Sequence, residues 1–84
     1  GHPYFDYRCT GKVWGALLEH WLHGIGFLSD EQGFPPIPAR IAAEMMIGMK
    51  LSREMNKSKR DNRTDTAGYA ECAQMIDDYE RGEK

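Results

Sequence analysis

The sequence has 84 residues and a formal charge of −2 at pH 7, which indicates a single domain without a general attraction to nucleic acid. A chain of this length buries only a little over ~60% of the surface that its unfolded form exposes, and self-association is one common remedy. No apolar run approaches the ~18 residues that a membrane-spanning helix needs. We therefore expect one small domain that self-associates and has no membrane partner.

The two cysteines, Cys9 and Cys72, are far apart and have neither a CxxC pair nor a histidine at zinc-ligand spacing. One disulfide is an alternative, but two such thiols in a helical chain are more often simply buried. No secretory leader opens the sequence. These features predict a protein of the reducing cytoplasm.

The first predicted helix spans residues 11–23, after an aromatic N-terminal stretch without helical period. Thr10 is the predicted N-cap, and Gly24 the predicted stop. Apolar residues recur at spacings of three and four, as in an amphipathic helix. These residues are Val13, Trp14, Leu17, Leu18, Trp21 and Leu22.

A loop is predicted over residues 24–37, because its three glycines and two adjacent prolines do not fit inside a helix. Its apolar side chains indicate that it packs back onto the helices. Pro38 suits the first position of a second helix over residues 38–56. The apolar stripe of that helix contains Ile41, Met45 and Met49.

The third predicted helix covers residues 61–80, with Asp61 or Asn62 as its cap. Its apolar face contains Tyr69, Cys72, Ile76 and Tyr79. Gly68 lies inside this helix, where glycine costs about 1 kcal/mol relative to alanine. We therefore expect Gly68 to allow the close approach of a neighbouring helix.

These elements predict an all-α fold, a three-helix domain built on an antiparallel αα-hairpin of the second and third helices. The first helix covers the open side of this hairpin. A single helical domain over residues 1–84 is one arrangement, and half of a dimeric helical bundle is the other.

Asp65 lies four residues before Tyr69, so it shares the inward face of the third helix. A buried carboxylate must be paired or neutralised. An antiparallel hairpin brings Lys50 and Arg53 opposite Asp61 and Asp65. The favoured interpretation is that these pairs fix the register of the hairpin.

The alternative is a ligand site in the same place. Lys50 and Arg53 would bind phosphate, while Asp61 and Asp65 would bind Mg²⁺ or a ribose, and Glu44 would join them around the cation. The ligand-binding candidates in this segment are Lys50, Arg53, Arg60, Asp61, Asn62, Asp65 and Tyr69.

Residues 50–63 contain six cations and two acids, a local charge of +4 that leaves −6 on the rest of the chain. A basic turn on an acidic domain is a candidate phosphate contact. No aromatic residues alternate with these cations, as base stacking would require. A solvated turn is favoured, and nucleic-acid contact through residues 57–63 is only the third hypothesis.

Residues 38–70, with MMIGMKLSR followed by KRDNRTDTAGYA, resemble an uncharacterised domain of tailed phages and prophages. Its signature is K-x-x-R followed by R-D-N-x-x-D-x-A-G-Y-A. The matching residues are Lys50, Arg53, Arg60, Asp61, Asn62, Asp65, Ala67, Gly68, Tyr69 and Ala70. The resemblance implies a helical phage protein in the cytoplasm of an infected or lysogenic bacterium. Members begin with a further helix, which implies a native N-terminal segment before residue 1.

A more distant resemblance is to the all-α NTP pyrophosphohydrolases, which hold Mg²⁺ and a nucleoside triphosphate with carboxylates on adjacent helices. Asp61 or Asp65 would correspond to an aspartate of their third helix. Their paired glutamates on the second helix are absent, since Glu44 and Glu54 are ten residues apart. If the chain is an enzyme, the resemblance implies a Mg²⁺-dependent pyrophosphohydrolase, but nucleotide binding fits the residues better than hydrolysis does.

The first hypothesis is a non-enzymatic phage accessory protein that self-associates and binds a host protein. It ranks above nucleotide or phosphate binding because a complete catalytic set is missing. A chain of 84 residues also leaves little room for an enclosed pocket.

Overall fold

The computed structural model describes residues 2–57 and 60–82, apart from the side chain of Asp61. Within these residues there are three helices and no strand: α1 (Pro3–Gly24), α2 (Ala39–Asn56) and α3 (Arg60–Glu80). The prediction of an all-α fold is therefore confirmed. The sequence predicted 38–56 for α2 and 61–80 for α3, so each boundary lies within one residue of the prediction.

The first helix begins at Pro3, well before the predicted start at Gly11. His2 is its N-cap, and the ring Nδ1 accepts a hydrogen bond from the Tyr4 N–H at 3.0 Å. Proline suits this position because a first-turn N–H has no partner inside the helix. Thr10, the predicted cap, lies within α1 and donates its hydroxyl to a carbonyl of the preceding turn.

Aromatic rings attach the start of α1 to the end of α3. The Tyr79 ring centroid lies 4.6 Å from that of Tyr4, 4.9 Å from that of His2 and 5.7 Å from that of Phe5. Because these rings gather around one residue of another helix, they do not follow a stripe of α1. The N-terminal stretch consequently shows no helical period in the sequence.

The end of α1 and the start of α2 each differ from the prediction by one or two residues. The left-handed backbone after α1 occurs at Gly26, with φ of 78°, and not at Gly24, which is the last helical residue. Pro38 is the N-cap of α2 and not its first helical residue, since its ψ of 146° is extended.

The segment between α1 and α2 packs directly on α1, as the sequence predicted. The Ile37 N–H donates to the Gly11 carbonyl at 3.0 Å. A Cβ on Gly11 would overlap the Ile37 carbonyl, and one on Gly15 would lie 2.8 Å from the Pro36 Cα. The two glycines, four residues apart on one face, allow this close approach.

Close packing does not explain Gly68. No atom outside its own turn lies within 4 Å of where its Cβ would be, and the residue is exposed. The predicted close approach at Gly68 is therefore wrong. The close approach in this fold is made by Gly11 and Gly15 of α1, which meet a loop and not a helix.

The buried core is small. Ile76 is the one large side chain that is fully buried among the described residues, and it packs with Ala39 and Ala43. Tyr4, Tyr7 and Ala73 pack around this cluster. Both cysteines are free; Cys72 is half-buried, but Cys9 is exposed, so the prediction of burial is wrong for Cys9.

Candidate functional site

Among the described residues, three ion pairs join α2 to α3. They are Arg40 Nη1 to Asp77 Oδ1 at 3.7 Å, Lys50 Nζ to Asp65 Oδ2 at 2.9 Å, and Arg63 Nη2 to Glu54 Oε1 at 2.8 Å. Positions that advance along α2 meet positions that recede along α3, so the two helices are antiparallel. The predicted αα-hairpin is therefore confirmed, and charged residues of the two helices meet across it.

Lys50 and Asp65 form an ion pair, as the register-fixing interpretation predicted. The prediction made Asp65 the buried residue, whereas in the structure Lys50 is the more buried of the two. The Lys50 side chain is 12% exposed, whereas that of Asp65 is 44% exposed. The aliphatic part of lysine crosses the apolar interface, and its ammonium reaches a carboxylate at the edge. The cation is therefore the buried member of the pair, and Asp65 does not face the interior as predicted.

Arg53, predicted beside Lys50 and opposite Asp65, lines a separate cavity. This open cavity of about 330 Å³ is also lined by Asn56, Lys57 and Asn62. Two cations and two amides surround it, which is a donor-rich set of the kind that binds phosphate oxygens. The structure thus divides the predicted phosphate-binding pair, with Lys50 bound to a carboxylate and Arg53 at the cavity.

Asn62 is the buried polar residue at the hairpin turn, with 6% of its surface exposed. Its Nδ2 donates to the Lys57 carbonyl at 3.4 Å and closes the entry into α3. Because α3 begins at Arg60, neither Asn62 nor Asp61 is its N-cap, and that prediction is wrong. The predicted contacts of the Asp61 side chain lie outside the described residues.

Glu44 does not join Asp65. Its Oε1 lies 3.4 Å from Arg40 Nε, and it lines a cavity of about 300 Å³ together with Asp77. Glu44 and Asp65 bind different cations at different levels of the hairpin. No group of three or more metal-ligating side chains occurs in the part of the chain that the structure describes.

Tyr69 and Arg60 occupy different environments. Arg60 is exposed at the start of α3, whereas Tyr69 is half-buried further along the helix. Burial raises the pKa of Tyr7 to about 12, with smaller contributions from Cys72, Tyr69 and Asp6. Tyr69 therefore lies close enough to Tyr7 of α1 to contribute to the rise of that pKa.

The basic segment is partly neutralised by the fold. Of its six cations, Lys50 bonds to Asp65, and Arg63 donates to Glu54 through both Nε and Nη2. Lys59 lies outside the described residues. The basic surface available to an external phosphate is therefore smaller than the composition indicates.

Half of the apolar residues that the sequence predicted as one face of the first helix lie on the outer side of α1 and are exposed. Val13, Leu17 and Trp21 are 57%, 62% and 57% exposed, and their four-residue spacing places them along one side of the helix. We call these three residues the α1 stripe. Trp14, Leu18 and Leu22, each one position later, are half-buried on the inner side.

The sequence contained an indication that the apolar residues of α1 lie on both an outer and an inner side. Six apolar residues at these positions cover a wider arc than the ~100° stripe that a surface helix uses to face one core. Part of this arc therefore extends beyond the side of α1 that packs on the other elements.

No described helix combines the length and the apolar character that crossing a bilayer requires.

Residues 1–77 match the family model of a domain of unknown function, DUF6378. No curated protein and no solved structure matches the chain. Because the family model covers most of the sequence, the chain belongs to the DUF6378 family.

Proposed function

We propose that this chain is a non-enzymatic protein-interaction module, an accessory protein of a tailed phage or prophage that acts in the cytoplasm of its bacterial host. The observation that carries this proposal is the α1 stripe. Its three large apolar side chains are each more than half exposed on a regular helix. Contiguous exposed apolar surface of this kind is typical of protein–protein interaction sites.

The charged hairpin supports the same proposal, because its best-placed charged groups serve the fold. Lys50 pairs with Asp65, and Arg63 pairs with Glu54, across α2 and α3. The phage context rests on the resemblance of residues 38–70 to a domain of tailed phages and prophages.

The test is capture of a host protein by the immobilised chain, with two matched variants. Leu17→Asp places a charge in the α1 stripe, whereas Met55→Asp places the same charge on α2, where Met55 is 88% exposed. A host protein that binds the wild type and Met55→Asp but not Leu17→Asp, and binds again as a purified component, supports the proposal. Capture that is equal for all three chains contradicts it.

Phosphate-ligand binding, with a nucleotide as the ligand class, is the second candidate function. It is favoured by the cavity of about 330 Å³ that Arg53, Asn56, Lys57 and Asn62 line. Cations and amide groups donate to phosphate oxygens, and a cavity of this size is at the lower end of the range for small-molecule sites.

Thermal unfolding with inorganic phosphate and with nucleoside mono- and triphosphates, each with and without Mg²⁺, tests this candidate. Ligand binding to the folded state raises Tm. Arg53→Ala should abolish the rise, while Arg8→Ala, which removes the same charge from an exposed position on α1, should preserve it. Absence of stabilisation by every ligand in the panel would exclude the candidate.

A further inference from the structure

We propose that the partner on the α1 stripe is a second copy of this chain, packed antiparallel around a twofold axis at Leu17. The inference rests on the proposed function and identifies the partner on that surface: with the α1 stripe covered in the dimer, a host protein would bind the assembled dimer, and Leu17→Asp would remove capture by separating the two copies. Two observations carry it: the flat, open protomer, seen in both its surface area and its radius of gyration, and the order of exposed side chains along the α1 stripe.

The exposed surface is larger than that of a compact monomer. The chain exposes 6187 Å² at a mass of 9.6 kDa. A compact folded monomer of this mass exposes about 5,100 Å², so the excess is about 1,100 Å². A standard protein–protein interface buries about 800 Å² on each partner. The excess over a compact monomer is therefore larger than one partner's share of a standard interface.

The shape gives the same result. The Cα radius of gyration is 15.1 Å and the extents are 43 × 38 × 17 Å, so the protomer is flat. A compact domain of this length has a radius of gyration of about 12 Å. The small core around Ile76 agrees with this, because a flat protomer has little interior of its own. A second layer from another copy would supply the missing depth.

The order of side chains on the α1 stripe is self-complementary. Leu17 stands at the centre, with the smaller Val13 on one side and the larger Trp21 on the other. A twofold axis at Leu17 places Val13 against the partner's Trp21, so a small side chain faces a large one at both ends. The same side of α1 continues through Thr10 before the α1 stripe and Gly24 after it, and none of these five residues is charged.

Leu51, an exposed apolar residue of α2, fits a dimer contact less well. Leu51 lines a cavity together with Glu54 and Arg63, whose ion pair lies beside it. Burying Leu51 against another copy would desolvate these charges, which is costly. The α1 stripe carries no such penalty.

Sedimentation velocity of the purified chain across a wide concentration range tests the inference. The wild type and Met55→Asp should sediment at twice the mass of 9.6 kDa, whereas Leu17→Asp should sediment as a monomer with retained helical circular dichroism. A wild type that is monomeric throughout overturns the inference. So does a dimer that persists in Leu17→Asp.

Disulfide trapping provides a test that does not depend on a monomer that folds alone. In a Cys9→Ser, Cys72→Ser background, Leu17→Cys should form a covalent dimer under mild oxidation. Val13→Cys should not, since the antiparallel arrangement separates the two Val13 positions by about 12 Å along the helix axis. A disulfide needs Cα atoms within about 7 Å. Trapping by Val13→Cys but not by Leu17→Cys overturns the antiparallel pairing.

The two proposals fail in different ways. A monomeric chain that still captures a host protein through Leu17 overturns this inference and leaves the proposed function intact. A monomeric chain whose capture does not depend on Leu17 overturns both.

Discussion

Lys50 Nζ lies 2.9 Å from Asp65 Oδ2, and the cation of this pair is the more buried partner, with 12% exposure against 44%. The two ends of the ion pair therefore have unequal consequences when removed. A carboxylate without its partner is still half in water, whereas the ammonium without its partner remains at the end of a side chain that is largely buried in the hairpin. Substitutions at the two positions should therefore differ in their effect on the free energy of unfolding.

Asp65→Asn should lower the free energy of unfolding by about 1–3 kcal/mol, because it leaves Lys50, whose side chain is largely buried, without its charged acceptor. Lys50→Met should cost less than about 1 kcal/mol, because an apolar side chain of similar length fits the buried site. Urea denaturation at pH 7 and fixed protein concentration measures both. Asp30→Asn, on an exposed loop, is the control, and a larger loss for Lys50→Met than for Asp65→Asn would contradict the assignment of burial.

Gly11→Ala should lower the free energy of unfolding by about 1–3 kcal/mol, since the new Cβ would overlap the Ile37 carbonyl and displace the loop. Gly68→Ala is the matched control within a helix. It meets no neighbour and should raise the free energy of unfolding by about 1 kcal/mol through helix propensity. The same urea measurement applies, and equal effects at the two glycines would count against the loop packing.

Tyr7 should make the protein less stable at high pH. Burial raises its pKa from 10.0 to about 12, so the folded state holds the phenol proton more tightly than the unfolded state does. The stability that this pKa difference contributes is fully present below pH 10 and is lost as pH rises towards 12.

Stability curves of the wild type and Tyr7→Phe at several alkaline pH values isolate this contribution. The difference between the two proteins should be constant below pH 10 and shift against the wild type above it. A difference independent of pH would show that Tyr7 titrates alike in both states.

Tyr79→Ala should detach the first turn of α1, because Tyr79 contacts the rings of His2, Tyr4 and Phe5. The expected loss is at least about 1 kcal/mol, with faster amide exchange in the first turn of α1. Tyr79→Phe keeps the ring and should preserve protection. Unchanged exchange in Tyr79→Ala would mean that capping by His2 holds this turn by itself.

Much of the hairpin was predictable from local pattern. The three- and four-residue spacings of α2 and α3 and the polar break between them are properties of neighbouring residues, and they also place Lys50 opposite Asp65. The start of α1 was not predictable in this way. Tyr4 and Phe5 face Tyr79 of α3, so their arrangement has no period along their own helix.

The sequence by itself determined that the chain is all-α, that α2 and α3 form a hairpin, and that its charged residues meet across it. Only the tertiary structure decided that Lys50 is buried and Asp65 half exposed, that Gly11 and Gly15 carry the loop, and that Val13, Leu17 and Trp21 remain uncovered. The physical reason is that periodicity shows which side chains share a face of a helix. Burial depends on whether another element lies against that face, and on the outer side of α1 the single chain supplies none among its described residues.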